Sequence, residues 1–304
     1  MCKKKCNFAA KLIEMMKKKF FQILIWLGIL FGCTIVAVAV GMLLFRGSIG
    51  TEPGGKTPVY VEKWLQFIQV VGMFLAPPII CAAIWDEHHQ PQHWLKIDRG
   101  TDWTHFFMAA GIMIVAVPAI NLFAYLNSLI PMPESWIAKD KGTSEKIMEW
   151  LQVDNVGMIL NFGLLALLPA FAEELTFRGT LQQIIANSQQ PTAKVHMAIW
   201  LTAILFSAIH MQFLGFIPRM LMGALFGYMF VWTGTLWIPI LMHFTNNAFA
   251  ISAYYLMANS QEQIANSTNI ADTLGTGDTL WMGILSLILT SLGLLIFYRR
   301  THTR

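Results

Sequence analysis

Charge is scarce in this sequence. Asp, Glu, Lys and Arg make up 12% of its 304 residues, about half of the roughly 25% that soluble domains carry. That deficit excludes a soluble globular chain. Cysteine is scarcer still, and Cys2, Cys6, Cys33 and Cys81 follow neither a metal-binding nor a disulfide spacing. No His-Glu-x-x-His is present, which removes one zinc-protease signature. Low-complexity tracts, internal repeats and a separate polar domain are also missing, and no nucleic-acid partner is expected.

What is present is apolar. Hydrophobic residues reach 56% and mean hydropathy is +0.54. The expected fold is therefore all-α, a polytopic membrane bundle in which runs of about 20 apolar residues mark the spans. About eight transmembrane helices are expected: Phe20–Phe45, Trp64–Trp85, Phe106–Ile130, a fourth from Val156, a fifth from near Ala193, Phe216–Trp232, Leu236–Met257 and Leu280–Tyr298. Pro77, Pro78 and Pro118 should kink their helices, which neighbouring helices tolerate. The first run exceeds the roughly 7–15 residues of a signal-peptide core, so it is expected to stay as an anchor even though Ala37-Val38-Ala39 resembles a cleavage site.

Lys3, Lys4, Lys5, Lys11, Lys17, Lys18 and Lys19 precede the first span, Arg299, Arg300 and Arg304 follow the last, and Ala258–Thr279 holds no Lys or Arg. The positive-inside rule then puts both termini in the cytoplasm of a multi-pass protein of the inner (plasma) membrane. The basic stretch also carries an apolar set, Phe8, Leu12, Ile13, Met15 and Met16, and reads either as a topology signal or as a segment lying on anionic lipid. Ser144–Leu151 has the spacing of an interfacial helix. The chain divides into a basic N-terminus (1–19), three accessory spans with loops (20–151), a candidate catalytic core (156–257), and an outer loop, last span and basic tail (258–304).

The polar constellations all fall in the third part. An ionisable group at bilayer depth costs about 2.5–3.5 kcal/mol on insertion scales, so such residues are functional candidates by default. Glu174 and Arg178 are one helical turn apart and neutralise each other, whereas Glu173 projects about 100° away and has no partner in sequence. A desolvated carboxylate of that kind suits a general base acting on water; the alternative is a charge cluster at a helix end. His210 follows Phe206 by one turn, and read alone it is a hydrogen-bonded core histidine. His243 and Asn247 share a face and supply a proton carrier and an amide donor for an oxyanion, or else an interhelical hydrogen-bonding face. Asn246 points elsewhere. Gly223 and Gly227 form a small-xxx-small packing pair.

Glu-Glu-x-x-x-Arg, Phe-x-x-x-His and His-x-x-x-Asn, in that order on successive apolar helices, resemble the CPBP family of intramembrane proteases. That family includes the type II CAAX prenyl endopeptidases and bacterial proteins linked to bacteriocin self-immunity. The resemblance covers about Val156–Met257. It implies an endopeptidase acting near the inner membrane surface on a peptide or protein, lipidated or membrane-bound. Glu173 would activate water with help from His210, His243 and Asn247 would stabilise the oxyanion, and Glu174 with Arg178 would hold the site. No metal is expected, with zinc as the alternative cofactor, since two His and a Glu are zinc donors but Asn is a poor one. Membrane lipids are the other expected partner.

A shared site makes one demand. Were the fourth helix to end at Gly179, Glu173 and His210 would lie about 25 Å apart at 1.5 Å per residue. The helix is therefore expected to run on through Leu181, Ile184 and Ile185. Gly275-Thr276-Gly277-Asp278 matches an aspartyl-protease signature but reads as a loop turn without a second intramembrane Asp, and the absence of Gly-x-Ser-Gly argues against a rhomboid-type serine enzyme. His88, His89 and His93 beside Asp86 and Glu87 read as a solvated loop before a metal site. Two other functions fit the same residues, a non-catalytic immunity or scaffold protein and a proton-coupled transporter.

Overall fold

The structure is a computed structural model that describes residues 2–152, 155–186, 192–258 and 279–302. Helices make up most of it, with no strand among the described residues beyond an isolated bridge between Glu52 and Lys56. In chain order the long helices are α1 (Cys2–Phe45), α2 (Val59–Trp85), α3 (Trp103–Ser128), α4 (Glu134–Leu151), α5 (Gly157–Ala186), α6 (Thr192–Ile209), α7 (Phe216–Thr233), α8 (Trp237–Ala258) and α9 (Leu280–His302).

The all-α polytopic bundle is as expected. Six helices are long and apolar enough to cross a membrane, namely α1 from Lys17, α2, α3, α5, α7 and α9. The other two expected spans are α6, a shorter apolar helix over Ala193–Ile209, and α8, whose middle is diluted by His243, Thr245, Asn246 and Asn247. Ile35, Leu43 and Phe107 are 68%, 79% and 75% exposed, an outward apolar surface suited to lipid rather than water.

Two elements differ from expectation. α1 begins at Cys2, because Lys, Ala, Leu and Met favour helix and neither Pro nor Gly intervenes before Gly28. α4 begins at Glu134, well before the expected segment at Ser144. The motif Gly275–Asp278 and residues 259–278 of the outer loop lie outside the described residues, as do the side chains of Phe8, Leu12, Ile13, Met15 and Met16.

The prolines are handled by neighbouring helices. Pro77 and Pro78 withhold two N–H donors from the turn before them, which winds as a π-turn over Val71–Leu75. The carbonyl of Phe74 in that turn instead accepts the Thr176 hydroxyl of α5 at 2.6 Å. At Pro118 the Ser286 hydroxyl of α9 enters the α3 ladder, accepting from the Ala119 N–H at 3.1 Å and donating to the Val115 carbonyl.

α5 runs unbroken to Ala186, meeting the demand for a deep Glu173. It does so with two π-helical stretches, Phe162–Leu167 and Phe177–Gln182, on either side of the two glutamates. Thr180 donates to the Leu175 carbonyl five residues back, in keeping with the wider winding. Gly223 and Gly227 let α7 approach closely. A Cβ at Gly223 would lie 3.2 Å from the Cα of Ala203 on α6, and one at Gly227 would lie 2.9 Å from Ile199. The carbonyls thereby exposed accept side chains one turn apart on α5, Arg178 Nη2 on Gly223 at 2.8 Å and Gln182 Nε2 on Gly227 at 3.2 Å.

Candidate active site

Adjacent positions on α5 send Glu173 and Glu174 to different sides. Glu174 is fully buried, and its Oε1 accepts Arg178 Nη1 at 2.6 Å and His243 Nδ1 at 2.9 Å. Arg178 is also fully buried, its guanidinium 4.6 Å from the centre of the Phe206 ring and 5.4 Å from that of Phe226. His243 stacks on Phe226 at 5.4 Å. A carboxylate can only accept, so Nδ1 of His243 carries the proton, and Nε2 donates as well only in the imidazolium form.

Glu173 faces the other way. Its Oε2 is buried without a hydrogen-bond partner and lies 3.8 Å from Nε2 of His210. Nδ1 of His210 donates to the Phe206 carbonyl at 2.8 Å, so in the neutral ring Nε2 is the bare acceptor. Both groups line a cavity of about 590 Å³ that reaches past Met73 and Gln69 to Glu62, Lys146 and Thr57. Lys146 pairs with Glu62 at 2.7 Å and Trp150 Nε1 donates to the same carboxylate, so α4 is fastened to α2 along the cavity wall.

His210 sits just past the end of α6, in a connection held from three sides. Asn127 donates to the Phe213 carbonyl and accepts from the Ile217 N–H, both at 2.8 Å; Asp140 accepts from the Leu214 N–H at 2.8 Å; and Trp136 stacks on Phe213. Asn247 is turned toward α5, where its amide is 3.4 Å from the Leu165 carbonyl and its Oδ1 accepts from Asn246. Leu165 lies in the turn from which Pro169 withholds a donor, and it lines the cavity.

Five of the six expected residues form two neighbouring groups, and Asn247 stands apart against Leu165. Glu173 and His210 meet at the cavity, whereas His243 joins Glu174 and Arg178 behind it. Arg219 escaped the sequence reading. It lies within electrostatic reach of Glu173, His210 and Asp140 and binds Gln212 through Nη2 at 2.8 Å. A lone Arg in the first turn of an apolar helix was the available signal.

Of the possible zinc donors Glu173 and His210 converge, His243 is bound to Glu174 through Nδ1, and no cluster of three His, Cys, Asp or Glu suited to a metal occurs among the described residues. The histidine loop after α2 is likewise internally bonded. Buried Asp86 accepts the N–H groups of Gln90 and His88, each at 3.0 Å, and Nδ1 of His93 at 3.2 Å. These bonds, Gln90 foremost, hold its carboxyl below the usual carboxylate range.

The cavity also bears on orientation. Expected together were cytoplasmic termini and cleavage near the inner surface. Thr57 and Thr143 mark the cavity's outer reach, near the start of α2 and within α4, while Lys18, Lys19, Lys96 and Arg99 cluster at the opposite end of the bundle. The cavity beside Glu173 and the basic cluster therefore reach toward opposite ends of the bundle.

Residues 155–249 match the family model of the type II CAAX prenyl endopeptidase Rce1-like proteins. The chain is 31% identical over 138 residues to the uncharacterized protein YpbD of Bacillus subtilis (strain 168), an alignment covering 44% of this chain and 63% of that relative. This chain thus spans somewhat under two thirds of the relative's length. No solved structure matches it significantly. The matched segment begins at the start of α5 and ends just after Asn247, so it contains every residue of both polar groups. Over residues 155–249 this chain is therefore similar to the Rce1-like type II CAAX prenyl endopeptidases.

Proposed function

We propose that this multi-pass membrane protein is an endopeptidase that hydrolyses a peptide bond with water activated by Glu173. The observation that carries the reading is the unpartnered Glu173 Oε2 facing the bare Nε2 of His210 across 3.8 Å on a cavity wall. A water lying against both donates one hydrogen to each and turns its lone pair toward the cavity. Glu173 takes a proton as the water oxygen adds to the carbonyl carbon, and that proton passes to the amide nitrogen as the C–N bond breaks. Asn247 and Arg219 are the donors assigned to the oxyanion. Glu174, Arg178 and His243 fix α5, α7 and α8 so that Glu173 stays uncommitted. No step passes through a metal.

With the basic end inside, as the positive-inside rule requires, the cavity is entered from the outer half of the membrane. The substrate is a peptide segment presented there, and the inner-surface reading is set aside. The experiment is cleavage of a fluorogenic peptide library, with prenylated and plain C-termini, by purified wild type, Glu173→Gln and His210→Ala, with and without a zinc chelator. Cleavage lost in both variants and kept under chelation is expected. Loss on chelation with recovery on zinc restores the metal mechanism, and cleavage unchanged in both variants sinks the site. In a cysteine-free background, Thr57→Cys should react with an impermeant maleimide on intact cells; protection until lysis would put the entrance inside.

A further inference from the structure

At the opposite end of the bundle lies a second cavity, of about 760 Å³, that the hydrolytic reading does not use. Its wall combines four cations, Lys18, Lys19, Lys96 and Arg99, with apolar Ile184, Val195 and Phe230, and no carboxylate lines it. Among the described residues no ion pair involves Lys18, Lys96 or Arg99, although Asp98 and Asp86 lie within electrostatic range of Lys96. Burial, and after it the neighbouring Arg99, lower the Lys96 ammonium from its ordinary range against the opposing pull of Asp98 and Asp86.

The rim is rigidly built. Lys96 holds a left-handed backbone with φ of 60°, a sparsely populated state for a side chain of its size. Its carbonyl accepts the N–H of Leu236, Thr235 Oγ1 donates to the Arg99 carbonyl at 2.8 Å, and Trp237 Nε1 donates to that of Ile97 at 2.9 Å. Gln183 of α5 donates to the Trp94 carbonyl at 3.0 Å. On the far wall Lys19 Nζ donates to the Ile185 carbonyl at 2.8 Å and ties α1 to the end of α5. Phe20 and Phe21, both 60% exposed, follow Lys19 directly and mark where the apolar span begins. The cations therefore stand at headgroup depth, with apolar walls beside them.

We propose that this cavity binds the phosphate of an anionic ligand, either a phosphodiester lipid headgroup at this depth or a soluble phosphate ester entering from the aqueous side. Basic recesses between spans at this level recognise such headgroups. The assignment stands independently of the Glu173 chemistry.

The test is binding by the purified full chain in neutral detergent, read by native mass spectrometry with phosphatidylglycerol, phosphatidylcholine and glycerol 3-phosphate. Phosphatidylglycerol is expected at one per chain, with phosphatidylcholine held weakly. Affinity falls on the order of fivefold in Arg99→Gln and thirtyfold in Lys96→Gln/Arg99→Gln, and is unchanged in Lys139→Gln, an exposed charge on α4. Should the double variant fail to fold, Arg99→Gln decides alone. Glycerol 3-phosphate bound as tightly as the lipid, and lost with Arg99, keeps the site and assigns it to a soluble ester. Equal lipid affinity in wild type and folded Arg99 variants overturns the proposal.

Discussion

The two sides of α5 at its centre use the same side chain to opposite ends. Glu174 is closed in, with Arg178, His243 and the carbonyl of Gly223 beyond Arg178 completing a network that reaches three helices. Glu173 lines the cavity with a single histidine opposite, and each glutamate keeps its Oε2 buried without a hydrogen-bond partner. A buried pair of charges contributes little net stability but is costly to break, whereas a lone buried carboxylate is a liability unless it does chemistry. The closed side should therefore answer to stability measurements and the open side to activity.

The largest effect is expected from Glu173→Gln, which should lower peptide hydrolysis by about 10²–10⁴ while leaving the unfolding midpoint in detergent nearly unchanged. A large drop in midpoint instead would erase the distinction between the two sides. Arg178→Met should cost roughly 3–5 kcal/mol of stability by leaving Glu174 charged and buried. Adding Glu174→Gln should return part of that loss, as equilibrium unfolding of the two variants would show. Asn247→Ala sharpens the boundary. An oxyanion role predicts a fall in kcat of about 10²–10³ with little change in KM, whereas a mere link to Leu165 predicts lower stability and intact turnover.

Smaller effects test the frame. Gly227→Ala should cost about 1–3 kcal/mol, because its Cβ would meet Gln182 Oε1 at 2.7 Å and Ile199 at 2.9 Å; unfolding midpoints check it. The smallest effect is at Asp86, whose carboxyl is held below its ordinary range. A depressed folded-state value stabilises above the unfolded-state pKa of about 3.9. That stabilisation is lost as pH falls through the folded value. The midpoint difference between wild type and Asp86→Asn should thus be present at neutral pH and vanish in strong acid.

Local spacing made much of this legible. The Glu174–Arg178 turn and the close approach of Gly223 and Gly227 follow from spacing within one helix, whereas the continuation of α5 through Leu181, Ile184 and Ile185 follows from the demand that Glu173 and His210 share a site. What escaped depends on contacts between helices. Nothing near His243 in sequence points to Glu174, 69 positions away. The grip of Asn127 on the connection after His210 likewise requires the fold. The end of the bundle at which the cavity opens depends on where α2 and α4 stand beside α5, which no single segment reveals. Arg219 met the test applied to the other intramembrane charges and was missed for want of a partner in its own segment.

The Ser286 hydroxyl seated in the broken ladder of α3 has a consequence for assembly. Its partner Val115 precedes it by 171 positions, so during synthesis α3 is complete long before the residue that closes its gap exists. Lipid offers nothing to an exposed carbonyl. Until α9 is made, the Ile114 carbonyl lacks the donor that Pro118 withholds, and the Val115 carbonyl has only the Ala119 N–H within its own helix. α9, far from the two glutamates in sequence, therefore supplies the hydroxyl that braces α3 beside its proline.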